Sequence, residues 1–269
     1  MTPSPFPRDK ANIMNMNPSG RRSPIGCLFC IVVIVLGLVF FQRYLDRAGE
    51  RRVIPDIVAR ISPGTGAGLA DGIAVAVALD VSPSMADAVA TKDGQAEPKI
   101  AIAKRVVVKA FQDIAEFADG VSNSTTVVAG LWAFSGNVLR VRPLSRPDKD
   151  SIQSEVDALH ESGGTAIGEA LIEAKIGLNE AGLARQYVIL VTDGQSNMGP
   201  GPETVLEAYR RLPAPHQPSV YIVAFDITAD LFSPLKNLGA TVVEARDAKE
   251  LQTAIDRIIY GDILVEKPD

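Results

Sequence analysis

Three short stretches of the chain carry residues suited to holding a hard cation. Asp80-Val81-Ser82-Pro83-Ser84 alternates one carboxylate with two hydroxyls. Ser162-Gly163-Gly164-Thr165 is a tight Gly-Gly turn with a hydroxyl at its end, and Thr192-Asp193-Gly194 supplies a second carboxylate. Together Asp80, Ser82, Ser84, Thr165 and Asp193 offer only hard oxygens. Such a donor set suits Mg²⁺, with Mn²⁺ and Ca²⁺ as alternatives, and does not suit zinc or copper. Only Asp80 and Asp193 are charged. Neutral hydroxyls offset little of a dication's charge, so a metal held here stays electrophilic and can accept a carboxylate from outside the chain. Each piece alone is ordinary: Ser84 or Thr165 could cap a helix, and Asp193-Gly194 could be a plain turn. All three in order, each at a loop on one rim, is a far rarer arrangement.

The surrounding pattern places these loops. Ile73–Leu79 (IAVAVAL) is a continuous small apolar run, as expected of a strand buried on both faces. From there strand and helix patterns alternate. Helical spacing runs over 99–118, 148–159, 166–179, 202–212 and 248–259. Strand patterns occupy 126–134, 138–144, 187–191, 220–225 and 241–244, with Ser135-Gly136-Asn137 as a hairpin signal. This alternation predicts an α/β fold, a doubly wound, mainly parallel central sheet flanked by helices. In such sheets ligands bind beyond the carboxyl ends of the strands, and Asp80 and Asp193 directly follow or nearly follow strand ends.

These residues resemble the metal-ion-dependent adhesion site of a von Willebrand factor type A (VWA) domain. DVSPSM, SGGTAIGEAL and VILVTDGQSN are similar to the bacterial branch of that family, and the resemblance covers about 72–260. It implies that Ser82, Ser84 and Thr165 coordinate a metal directly or through water. Asp80 and Asp193 would act mainly through water and hydrogen bonds. It also implies a protein ligand whose Asp or Glu carboxylate completes the metal shell. Pro83 stands where a small residue is often found. A helix before such a domain also resembles the membrane-anchored bacterial proteins associated with MoxR-type ATPases, so a subunit role in an ATPase-linked assembly or metal-insertion system is the alternative.

The chain has 269 residues, 46% hydrophobic and 22% charged, which excludes a disordered or collagen-like chain. Its net charge of −5 argues against nucleic acid as a partner. Residues 23–41 (SPIGCLFCIVVIVLGLVFF) carry no charge. As a helix they span roughly 28 Å, close to the ~30 Å hydrocarbon core. They end without a small-residue cleavage site, so the segment is read as a retained transmembrane helix and not a signal peptide. Cys27 and Cys30, the chain's two cysteines, lie inside this run, which excludes a disulfide framework and a cysteine zinc site.

The resulting organisation is a flexible tail over 1–22, the transmembrane helix at 23–41, a juxtamembrane segment and linker at 42–71, the α/β domain at 72–260 and a polar tail at 261–269. In that reading Pro55 interrupts the juxtamembrane helix. The Gly-rich stretch 62–72 precedes a strand and lacks a following Lys-Ser/Thr, so it reads as a linker and not a phosphate loop. Arg21-Arg22 beside a short tail favour an inside N-terminus and an extracytoplasmic domain on a single-pass cell-membrane protein.

An enzyme, such as a metal-assisted hydrolase, would need a base or nucleophile near the metal. His160 and His216 belong to no metal loop and read as exposed, so the expectation is a binding module and not an enzyme. Asp226 lies on the same rim, where it could line the site, and reads first as solvating its loop. Gln195, Ser196 and Asn197 read equally as partner contacts or a polar turn, and Trp132 reads as core.

Overall fold

The computed structural model describes residues 53–64, 66, 68–90, 96–121 and 125–264. The apolar run 23–41 and the tail before it lie outside the described residues. Among those described, no helix is long and apolar enough to cross a membrane.

A six-stranded sheet forms the centre, in the order β5-β4-β1-β6-β7-β8. Its strands are β1 (Ala70–Asp80), β4 (Thr126–Phe134), β5 (Val138–Ser145), β6 (Leu183–Thr192), β7 (Ser219–Phe225) and β8 (Thr241–Ala245). All neighbours pair in parallel except the β4–β5 hairpin. The chain starts in the middle, builds outward through β4 and β5, then crosses to the other side of β1 for β6, β7 and β8. The reversal therefore falls between β1 and β6, and their carboxyl ends carry Asp80 and Thr192.

The alternation inside β1 explains the two layers. Ile73, Val75, Val77 and Leu79 point into one core with α2 (Lys99–Gly120) and α7 (Ala248–Asp256). Ala74, Ala76 and Ala78 point into the other, with α4 (Ile167–Ala181) and α5 (Pro202–Tyr209). On this second face the small residues leave room for Trp132, which is fully buried. Its ring lies so close to Gly177 of α4 that a Cβ there would sit 2.5 Å from Cζ2. The expectation of Trp132 as core holds. Helix α4 ends at Gly182, whose φ of 63° is the left-handed conformation that closes many helices.

Three features differ from the sequence reading. Residues 53–61 form a helix, α1, that packs on the domain. Pro55 does not interrupt it; it falls in the first turn, where a missing N–H costs no hydrogen bond. Ile54, Ile57 and Ile61 are buried in the second core, and Arg60 reaches Glu169 and Glu173 on α4. The C-terminal end also runs further than its polar composition suggests. After α7 a π-helical turn spans Arg257–Ile263 and buries Ile258, Ile259 and Ile263. Finally, β2 (Ala88–Ala90) and β3 (Ala96–Pro98) form a small antiparallel ribbon before α2. Its three-residue strands leave no periodicity to read. Two shorter helices, α3 (Ile152–Asp157) and α6 (Ser233–Asn237), complete the set.

Candidate metal centre

The exit of β1 is fixed from both sides. Asp80 is fully buried, and both its carboxylate oxygens accept hydrogen bonds. The Ser82 amide donates to Oδ1 at 2.8 Å, which curls the loop back on the strand end. The Thr192 hydroxyl, at the end of β6, donates to Oδ2 at 2.6 Å. Burial pushes the Asp80 carboxyl up to about 6, against these hydrogen bonds; the nearby Asp193 charge pushes the same way. A group so placed is costly as an anion unless a cation stands near.

Beyond Asp80, Pro83–Ala86 makes one short 3₁₀ turn that aims the hydroxyls inward. Ser82 Oγ and Ser84 Oγ lie 3.1 Å apart, and Ser84 Oγ donates to Asp193 Oδ1 at 2.7 Å. Hydrogen bonds thus link Asp80, Ser82, Ser84 and Asp193 into one cluster spanning the carboxyl ends of β1 and β6. Ser84 is not a helix cap, because its side chain is spent on Asp193.

Thr165 reaches the same rim through its backbone. Its loop is tied to the exit of β1 by Ser162 N–H to Val81 O (2.9 Å) and to the exit of β4 by Ala166 N–H to Ser135 O (2.7 Å). The loop after β6 holds it too: Thr165 N–H donates to Asn197 Oδ1 at 2.8 Å, and Asn197 N–H returns to Thr165 O at 2.9 Å. Thr165 is buried, and α4 starts with no side-chain cap, so the capping role is unfilled here as well. The glycines are required by this crowding. Gly163 has φ +69°, and a Cβ on Gly164 would meet Met198 Sδ at 2.6 Å. Ser135, read from the sequence as a hairpin residue, and Asn197, read equally as a partner contact or a turn residue, are therefore props of the Thr165 loop.

Lys99 is the participant that residue spacing did not reveal. Its ammonium, buried at the start of α2, donates to Asp193 Oδ2 at 2.9 Å and lies 3.2 Å from Asp226 Oδ2. Burial works against its charge, but the hydrogen bonds and charges of Asp193 and then Asp226 outweigh it and hold the group above the ordinary lysine range. A signal did exist: a lysine in the first turn of a helix has the wrong sign for the helix dipole and needs a compensating partner. Asp226 is thus not merely a loop-solvating residue. It holds φ 56°, and no other non-glycine residue among those described has a positive φ. His160 is exposed as expected, whereas His216 is half-buried with Nδ1 enclosed.

The oxygens that Asp80, Ser82, Ser84 and Asp193 bring together are hard donors of the kind a divalent cation takes, two charged and two neutral. Among the described residues no three His, Cys, Asp and Glu side chains converge, so any such ion would depend on the hydroxyls.

Residues 74–258 match the family model for the von Willebrand factor type A domain. The chain belongs to the VWA family. Solved structures agree on the fold. The VWA-containing core is similar to the PilB minor pilin from Streptococcus sanguinis (17% identity, TM-score 0.56), covering 74% of this chain and 64% of the pilin. The conserved hypothetical protein BatB from Bacteroides thetaiotaomicron is similar over 71% of this chain and 98% of its own (19% identity, TM-score 0.53). An aerotolerance-related membrane protein from Bacteroides fragilis is similar over 71% of this chain and 100% of its own (18% identity, TM-score 0.50). Comparison with curated proteins finds no match.

Proposed function

We propose that this VWA chain is a membrane-anchored protein-binding module whose divalent cation, Mg²⁺ in the first instance, accepts an Asp or Glu carboxylate from a partner protein. One observation carries the reading. The carboxyl ends of β1 and β6 meet at the sheet's reversal with Asp80, Ser82, Ser84 and Asp193 in one hydrogen-bonded cluster. Ser82, Ser84 and Thr165 would hold the ion, with Asp80 and Asp193 supplying the countercharge. When bound, the ion offers an electrophilic position to an incoming carboxylate oxygen. The protein's own part is to fix the oxygens: Thr192 orients Asp80, and Asn197 secures the Thr165 backbone.

The apolar run 23–41 supports an anchor, and the charge flanking it supports an inside N-terminus with the VWA domain extracytoplasmic on the cell membrane. Binding is favoured over catalysis because the nearest amine, Lys99, is committed to two carboxylates and neither histidine belongs to a metal loop. Likeness to BatB and to an aerotolerance-related membrane protein supports the second reading, a subunit of a MoxR-type ATPase-linked assembly. The two differ in partner and not in site chemistry.

The test uses the full chain in detergent. Calorimetry with Mg²⁺ and Mn²⁺ should show binding that Asp80→Ala abolishes, and affinity capture from membranes should be lost in EDTA and in that variant. Equal capture by wild type and Asp80→Ala would overturn the metal as recognition element.

A further inference from the structure

Lys99 stands where simple electrostatics would least place it. A buried ammonium loses hydration, and the first turn of α2 adds the positive end of a helix dipole. Both disfavour a cation. What holds it is a pair of carboxylates from two different loops, Asp193 after β6 and Asp226 after β7. Asp226 reaches it from a left-handed backbone conformation that only a few non-glycine residues tolerate, Asp among them. Its backbone is pinned there by Asp226 N–H to Ala245 O at 2.7 Å.

The placement is also directional. The two oxygens of Asp193 face different neighbours: Oδ1 accepts from Ser84 and Oδ2 accepts from Lys99. The ammonium therefore lies on the far side of the same carboxylate that would serve the divalent ion. We infer that Lys99 is a built-in counter-cation of the metal centre, which keeps the affinity for a divalent ion low and is itself balanced by Asp226.

This rests on the cation-binding reading above. Its physical content is a sign. A fixed positive charge beside a dication repels it, and Asp193 shared with an ammonium has less charge to give the metal. A loosely held, under-neutralised ion gains more from an incoming carboxylate. Metal and partner then strengthen each other's binding, and that coupling is reciprocal. A purely structural Lys99 would act in the opposite direction, since its loss would loosen Asp193 and weaken metal binding.

Mn²⁺ titration of the full chain in detergent, followed by calorimetry and by electron paramagnetic resonance of free Mn²⁺, separates the two. Lys99→Met should tighten Mn²⁺ binding by about tenfold or more. Its melting temperature in EDTA should fall, because Asp193 and Asp226 lose their counter-cation. Lys99→Arg keeps the charge and should stay within about threefold of wild type. Asp226→Asn should move the other way, weakening Mn²⁺ by about threefold or more. Unchanged or weaker binding in folded Lys99→Met overturns the inference. Should that variant fail to fold, the Asp226→Asn result decides, and tighter or equal Mn²⁺ binding there overturns it. Wild type that binds Mn²⁺ with neither variant shifting it defeats this inference alone. No Mn²⁺ binding by wild type or Lys99→Met defeats the cation-binding reading as well.

Discussion

The Thr192 hydroxyl donates to Asp80 Oδ2 at 2.6 Å, joining the last residue of β6 to the last residue of β1. The contact crosses the line where the winding of the sheet reverses, and it is fully buried. It therefore does for the candidate centre what no loop contact can: it registers the two carboxylate-bearing loops on rigid strands. The Thr192 Oγ1 also accepts from the Gly194 amide at 3.2 Å, so the same hydroxyl shapes the turn that carries Asp193.

Thr192→Val is close in shape but cannot donate. It should leave Asp80 Oδ2 buried without its hydrogen bond, at a cost of about 1–3 kcal/mol. Mn²⁺ affinity should fall alongside, since Asp80 is no longer held in one orientation. Urea unfolding and Mn²⁺ calorimetry check both. A variant as stable as wild type, with unchanged metal affinity, would remove Thr192 from the account.

Much of this arrangement was legible beforehand. The apolar run of β1 and the hairpin after β4 stand out because buried parallel strands and short Gly-containing turns have strong local patterns. Asp80, Ser82, Ser84 and Asp193 lie at or just beyond the ends of such strands, and hydrogen bonds join them on one rim, where Thr165 is tied by its backbone. The pairing of Lys99 with Asp226 was not legible, because it is a contact between residues 127 positions apart, brought together by crossovers. Helix α1 was hidden for a different reason. It directly follows the Arg-rich stretch 43–52 and so reads as membrane-flanking, and only three isoleucines, at 54, 57 and 61, mark the side that packs.

Removing metal should leave the fold intact. Both hydrophobic cores are built from strand and helix residues that do not include Asp80, Ser82, Ser84 or Asp193, and Lys99 already neutralises part of the cluster. Far-UV dichroism of the full chain should be the same in EDTA and in Mg²⁺. Mg²⁺ at a hundredfold over its dissociation constant should add about 2.7 kcal/mol by mass action, or on the order of 5–10 °C in Tm. Loss of dichroism in EDTA would make the ion structural.

Lys175, in the middle of α4, predicts a pH dependence of stability. It is fully buried, and its hydrogen bonds among the described residues go to the uncharged side chains of Asn179 and Gln186. Burial pushes its ammonium down to about 8. The unfolded chain therefore holds more protons than the native one between about pH 8 and the ordinary lysine range near 10.4. Stability then rises with pH across that window, and the penalty is fully present below about pH 8. The rise should amount to roughly 3 kcal/mol at most. Urea midpoints at pH 7.5 and 9.5 should differ in this direction for wild type, and Lys175→Met should flatten the difference. A wild type whose pH slope matches that of Lys175→Met would mean the group is neutral throughout or solvated.

The same helix carries the last prediction. Helix α1 is fastened to α4 at three levels. Ile61 is fully buried, the Ile61 carbonyl accepts from Asn179 Nδ2 at 2.7 Å, and Arg60 reaches both Glu169 and Glu173. The burial should dominate, because the ion pairs are partly exposed and such pairs contribute at most about 1 kcal/mol. Ile61→Ala should therefore cost about 2–5 kcal/mol of domain stability, whereas Arg60→Ala should cost no more than about 1 kcal/mol. Chemical denaturation of the full chain measures both. If 53–61 were only a tether between membrane and domain, Ile61→Ala would unfold at the wild-type midpoint. The predicted loss instead makes α1 part of the VWA core, with its carbonyl end attached to the helix that begins two residues after Thr165.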